Sequence, residues 1–198
     1  MCYNKQNVRL RQERRDCVNY AEIKARDIAN GPGVRVSLFV SGCTHHCKGC
    51  FNQIAWDFDY GKPFTQDTID HILELLRPSF VKGITLLGGE PFEPQNQPTV
   101  VDFLRQMKEK YPNKTVWAFS GYLFDRDMLS GRLGELTEEF LTFVDVLVDG
   151  PFIEEKKNLS LRFRGSSNQR IIDVPASLTA GEVILWQDWQ GNGRGLKG

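Results

Sequence analysis

The sequence predicts an α/β fold: a single domain with a mostly parallel sheet, curved into a partial, open β/α barrel. Three observations carry this expectation. Strand-like and helix-like runs alternate through the middle of the chain, and that repetition builds parallel sheets with helical crossovers. The unusual residues follow the strand-like runs, where parallel α/β folds bind ligands. The strand-like runs are too few for a complete eight-stranded barrel, and 198 residues suit one domain better than two.

The elements follow in order. Val34 to Val40 is β-branched and aromatic, reads as a strand and stops at Ser41-Gly42. Thr65 can cap a helix whose apolar face is Ile69, Ile72, Leu73 and Leu76, before Pro78 closes it. Gly83 to Leu87 is a short apolar strand. Val100, Phe103, Leu104 and Met107 make the next helical stripe, and Pro112 ends that segment. Thr115 to Phe119 reads as a strand, Leu136 to Phe143 as a helix leading into a strand at Val144 to Val148. Leu159 to Phe163 and Ile171 to Val174 are further strand candidates. The expected division is an N-terminal extension over 1–18, the domain over 19–175 and a C-terminal tail over 176–198, ending in the glycine-rich run 191–198.

Four strand-following loops then share one rim. They hold Gly42 with the cysteines, Gly88-Gly89-Glu90-Pro91, Ser120-Gly121-Tyr122, and Asp149-Gly150-Pro151.

Composition excludes several classes. The chain is 40% hydrophobic, and Lys+Arg and Asp+Glu both number 25, so the formal net charge is zero. This balance gives no sign of a nucleic-acid partner. Arg9, Arg11, Arg14 and Arg15 make the start locally basic, which reads as a solvated arm. No stretch approaches 18 consecutive apolar residues, and the start lacks the apolar core of a secretory signal, so the expected location is the cytoplasm, away from membranes.

Of five cysteines, Cys43, Cys47 and Cys50 crowd into eight residues, while Cys2 and Cys17 lie apart and read as free thiols. An odd number with this crowding is a metal-site pattern rather than a disulfide framework. Three thiolates at spacings of four and three can wrap one face of a cubane iron–sulfur cluster, leaving one iron open to substrate. Structural zinc with His45 or His46 as the fourth ligand is the competing reading. Both histidines read as exposed loop residues, as does His71 on its helix. No Ser-His-Asp arrangement or paired-carboxylate site is apparent.

The run Cys43-Thr-His-His-Cys47-Lys-Gly-Cys50-Phe51, with Gly88-Gly89-Glu90-Pro91 after the second strand, resembles the two signatures of the radical S-adenosylmethionine superfamily. Asn30-Gly31-Pro32-Gly33, Leu38 to Cys43, Pro94-Gln95-Asn96, Ser120-Gly121-Tyr122, Val148-Asp149-Gly150 and Arg164 to Arg170 narrow the resemblance. Together they resemble the activating proteins of anaerobic (class III) ribonucleoside-triphosphate reductase, from about Tyr20 to about Val174. Leu87 and Ser120 depart from that pattern, which often has a hydroxyl residue before Gly-Gly and Thr before Gly-Tyr.

The resemblance implies a radical SAM partial barrel, a [4Fe-4S] cluster on Cys43, Cys47 and Cys50, and S-adenosyl-L-methionine bound at the open iron. One electron from a flavodoxin or ferredoxin cleaves the sulfonium to methionine and a 5′-deoxyadenosyl radical. That radical removes a hydrogen atom from a glycine Cα of the reductase. The protein positions these groups and excludes water. Gly49, Cys50, Phe51, Gly88, Gly89, Glu90, Ser120 and Asp149 are the implied cofactor contacts. Phe51 would cover the adenine or cluster, Gly88 and Gly89 would admit the methionine part, and Glu90 would accept from its ammonium or hold the loop. Ser120 and Tyr122 would meet the nucleoside. Asp149 would position substrate or form a turn. Arg162, Arg164 and Arg170 would form a docking or cofactor surface. Two alternatives stay open: an activase of another glycyl radical enzyme, and a non-catalytic zinc or iron–sulfur interaction module.

Overall fold

The computed structural model describes residues 18–187. The expectations placed on Cys2, Cys17, the four N-terminal arginines and 191–198 lie outside the described residues. Seven strands form one sheet in the order β3-β1-β2-β4-β5-β6-β7. They are β1 (Asn19–Asp27), β2 (Val34–Val40), β3 (Lys62–Pro63), β4 (Val81–Gly88), β5 (Thr115–Phe119), β6 (Val146–Asp149) and β7 (Arg170–Asp173). The four central strands β2, β4, β5 and β6 run parallel, as the strand–helix alternation requires. Both flanks are antiparallel: β3 and β1 beside β2, and β7 beside β6. The sheet does not close on itself.

Helices α1 (Gln66–Leu76), α2 (Gln97–Lys110) and α3 (Leu136–Phe143) supply the crossovers. Thr65 and Thr68 form a reciprocal capping pair at the start of α1. The predicted stripe of α1 and the predicted stripe of α2 are both buried. They pack on Val36, Leu38, Ile84, Leu86, Val116 and Leu147 of the sheet in one continuous core. Strand side chains alternate between faces, so Trp117, Val146 and Val148 point the other way. That second face carries a smaller cluster, completed by Phe119, Phe163, Ile171 and Trp186.

A polar layer crosses the second face. Arg35 is buried there, 1% exposed. Its guanidinium donates to Thr85 Oγ1 at 2.8 Å, Thr115 Oγ1 at 3.0 Å and the carbonyls of Ile84 and Thr115. Burial lowers its pKa to about 10, against the opposing pull of Asp145, so it stays charged at neutral pH. Thr85 Oγ1 donates to Asn30 O at 2.7 Å, and Asp27 accepts from Ser37, Asn30 and the amide of Ala29. These bonds fold residues 28–33 under the sheet, joining β1 to β2.

Strand β1 escapes the periodicity because Glu22, Lys24 and Arg26 face solvent near the sheet's edge. Strand β6 starts at Val146 rather than at Val144. Val144 N still bonds Leu141 O at the helix end, and Asp145 accepts from the amide of Val116. The strand expected over Leu159 to Phe163 is absent; the segment is a series of turns. It has no ladder partner, and Leu159 is 91% exposed. Its shape comes from a single bridge, Lys157 to Ser166, and from Gln169 Oε1 accepting the amides of Gly165 and Ser166. A fourth helix, α4 (Val174–Ala180), runs across the expected start of the tail at 176. Asp173 caps it, Gly181 ends it at φ 72°, and Leu185 bridges back to Ile172.

At Gly83 a side chain would collide with the β5 backbone, since a Cβ there would lie 1.8 Å from Thr115 O. Gly83→Ala should destabilise the protein by about 1–3 kcal/mol, as over-packing does. Urea unfolding measures this, and an unchanged midpoint would show that the two strands can part without loss.

Candidate active site

A cavity of about 530 Å³ opens at the carboxyl ends of the parallel strands, within the size range of cofactor sites. Cys43, Cys47 and Cys50 all line it, as do Gly88, Gly89, Glu90 and Ser120. Ala29 and Asn30, held by the polar layer, line it too. The segment from Gly150 to Gln169 forms one wall, with Phe152, Leu161, Phe163 and Arg164 facing the space.

The cysteine loop is fixed by the backbone on both sides. Gly42 N and Cys43 N donate to Ala55 O and Trp56 O, and Cys50 N donates to Cys47 O in a tight turn. Gly42 has φ 93°, and a side chain there would strike the Phe58 ring. Glu90 N donates to Gly42 O at 2.8 Å, and Gly89 N to Val40 O at 2.7 Å, so the second-strand loop lies directly against the cysteine loop. A Cβ on Gly89 would come within 2.4 Å of Gly42 O. The close approach at Gly89 is therefore to the chain's own backbone. Gly88 is required by its φ of 108° and by Phe39 beneath it.

Glu90 is 1% exposed and takes four protein donors. Oε1 accepts from Phe92 N and Ser120 Oγ, both at 2.9 Å; Oε2 accepts from Gly121 N at 2.7 Å and contacts His45 Nε2 at 3.1 Å. A carboxylate has about four acceptor positions, so protein groups use all of them. Of the two roles expected of Glu90, holding the loop is the one with bonds. Ser120 is used likewise: it donates to Glu90 and accepts from Tyr122 N.

His45 is half-buried, unlike the exposed residue expected. Its ring lies against Gly121 and edge-on to Tyr122, with centroids 4.3 Å apart. Burial opposes its charged form, but the bond and charge of Glu90, with Glu93 and Asp127, outweigh it and raise the pKa. His46 is exposed and packs on Trp56. Burial pushes the Tyr122 phenol up to about 12.

Asp149 is fully buried and does not line the cavity. It accepts from Phe124 N at 2.9 Å and from Arg170 Nε at 2.9 Å. Arg170 also pairs with Asp125 at 2.8 Å. Its pKa is raised by those two carboxylates, Asp149 first. The carboxylate expected at the rim thus ties β6, β7 and a π-helical turn (Phe124–Met128) together from behind. Arg170 is spent in that tie, and Arg164 donates to Gln169 O.

Other contributors are not among the expected cofactor contacts. Glu93 Oε1 accepts both the amide and the hydroxyl of Thr44, at 2.7 and 2.6 Å, and so anchors the start of the cysteine loop. Asn96 Nδ2 bridges the carbonyls of Ser41 and Glu90. Glu154 packs over Gly49 and pairs with Lys48 at 3.1 Å, bringing the long wall segment onto the cysteine loop. Gly49 itself turns at φ 73°.

The donor set fits a cluster. Burial raises the Cys43 thiol to about 12 and also raises Cys47, so thiolates there need a cationic group to stabilise them. Among the described residues, no three His, Cys, Asp or Glu side chains converge on a point that would hold one metal ion. A cubane places each thiolate on a different iron and does not need that convergence. His45 is engaged by Glu90 instead of being aimed at a metal.

Comparison with known proteins agrees. A family model described as a 4Fe-4S single cluster domain matches residues 29–172. Fold and site together define the class: an α/β protein built to carry one iron–sulfur cluster. A Vibrio cholerae protein is 39% identical over 156 residues, 78% of this chain and 97% of its own length. Proteins of Escherichia coli and Haemophilus influenzae are each 40% identical, over 77% and 78% of this chain and 96% and 97% of theirs. All three are called anaerobic ribonucleoside-triphosphate reductase-activating proteins, and this chain belongs to that family.

Glu90→Gln replaces an acceptor with a donor among four donors. It should cost about 1–3 kcal/mol of buried hydrogen bonding and loosen the cysteine loop. The expected result is less iron per chain after anaerobic reconstitution and faster iron loss to a chelator. Wild-type iron retention would show that Glu90 does not hold the loop.

Proposed function

We propose that the chain activates an anaerobic ribonucleoside-triphosphate reductase by cleaving S-adenosyl-L-methionine reductively and placing a radical on a glycine of that reductase. The observation that carries this reading is the shared cavity of the three cysteines and the Gly88–Glu90 loop. A [4Fe-4S] cluster held by these cysteines would supply one electron for reductive cleavage of the sulfonium to methionine and the radical that takes the glycine hydrogen.

The chain's own residues do the rest. Cys43, Cys47 and Cys50 would hold the cluster as thiolates, and no fourth cysteine lies among the described residues. Gly49 and Gly121 let Glu154 and the His45 ring pack against the loops that line the cavity. Glu90 and Ser120 keep the second and third loops in register with the first. Asp149 acts through the tie to Arg170. Phe152, Phe163 and Phe119 keep one wall apolar and exclude water. On this reading the sheet is the partial barrel of the radical SAM type, its domain runs from 19 past the expected end at 175 to take in α4, and the protein works in the cytoplasm. No helix of the described residues is long and apolar enough to cross a membrane. A reduced flavodoxin or ferredoxin supplies the electron.

A non-catalytic interaction module gives no purpose to a cavity beside the cysteines. An activase of a different glycyl radical enzyme is separated by the choice of protein substrate.

The test is anaerobic reconstitution with iron and sulfide, then dithionite and S-adenosylmethionine, with 5′-deoxyadenosine quantified. Wild type should form it, whereas Cys47→Ala, or wild type stripped by a chelator, should fall to the no-enzyme background. A cluster-replete wild type that forms none, even with the reductase present, overturns the proposal.

A further inference from the structure

The two most exposed large apolar side chains among the described residues are Leu159, at 91%, and Phe51, at 86%. Both line the same cavity, from different parts of the chain. Phe51 follows the cysteine loop directly. Leu159 projects from the turns of the 150–169 wall. Ile54, 57% exposed, follows three residues after Phe51 on a 3₁₀ turn (Gln53–Trp56) whose Trp56 lines the cavity. Neither the main core nor the smaller cluster includes any of the three.

Exposed apolar side chains gathered at the mouth of a cavity mark a surface that another molecule covers. For an activase, that molecule is the protein substrate. A hydrogen atom leaves a glycine Cα inside the cavity, so a backbone segment of the partner protein has to cross its mouth. A glycine has no side chain to be gripped, so its neighbours must supply the hold. The polar groups at the cavity's inner end cannot supply it, because Glu90 and Ser120 are engaged by the chain itself. At the rim, apolar side chains stand beside Lys157 and Asn158 on the same wall.

We infer that Phe51, Ile54 and Leu159 form the docking rim for the reductase's glycine-bearing segment, gripping apolar residues on either side of the glycine. This rests on the proposed activase function. Leu159 holds the segment from the long wall, and Phe51 with Ile54 holds it from the cysteine loop.

The test uses the cluster-loaded protein with intact reductase as substrate, and the glycyl radical is counted by electron paramagnetic resonance as reductase concentration is varied. Leu159→Asp and Ile54→Asp should each raise the half-saturating reductase concentration about tenfold or more, the loss of one buried apolar contact. Iron and sulfide per chain should match wild type. Leu159→Met should stay within about twofold, as a neutral surface change does. Half-saturation within about twofold for both aspartate variants overturns the docking rim and leaves the activase reading standing. A wild type that installs no radical overturns both. Should Leu159→Asp lose iron, Ile54→Asp decides alone, since it lies on the other loop.

Discussion

One buried carboxylate holds the site together. Glu90 sits at the end of β4 and is bonded to its own loop through Phe92, to the third loop through Ser120 and Gly121, and to the cysteine loop through His45. A buried acceptor left short of donors is costly, so each of its four bonds constrains the position of a loop that could otherwise drift. The bonds Gly89 N to Val40 O and Glu90 N to Gly42 O extend the tie along the backbone. Glycine at 89 is what lets the two loops meet. The cysteines are therefore placed by contacts around their loop as well as by their spacing.

The rest of the fold serves this junction by making the two faces of the sheet unequal. One face is apolar and sealed by three helices. Parallel sheets usually bury both faces in this way. Here the second face is half polar, with Arg35, Ser37 and Thr85 satisfied by one another and by residues of the 27–30 turn. That layer closes the lower part of the face and leaves the upper part open. The long wall from Gly150 to Gln169 encloses the opening from the side, anchored behind by Asp149 and Arg170 and in front by Glu154 on Gly49. The result is a cleft at the cysteines with exposed Phe51 and Leu159 on its lip.

Much of this architecture was legible in the residues. The stripes of α1 and α2 and the apolar runs of β2, β4 and β5 are set by local periodicity, which a sequence carries openly. The cysteine spacing and the Gly-Gly-Glu-Pro turn were legible for the same reason: their meaning lies within a few residues. Strand β1 was not, because its charged residues face solvent and its pairing partner is what makes it a strand. Leu159 to Phe163 misled in the opposite sense, having strand-like composition but no strand beside it to bond. Asp149 and Arg170, although separated by 21 positions, form one structural pair.

The sequence by itself determined the class of fold, the cysteine set and the four loops that share a rim, since each depends on neighbours in the chain. Only the tertiary structure decided what the polar side chains do. A carboxylate at a strand end can face a ligand or its own protein, and composition is the same in both cases. Distance to donors on other strands separates them: it commits Glu90 to the loops and Asp149 to Arg170, and it leaves Phe51 and Leu159 facing outward.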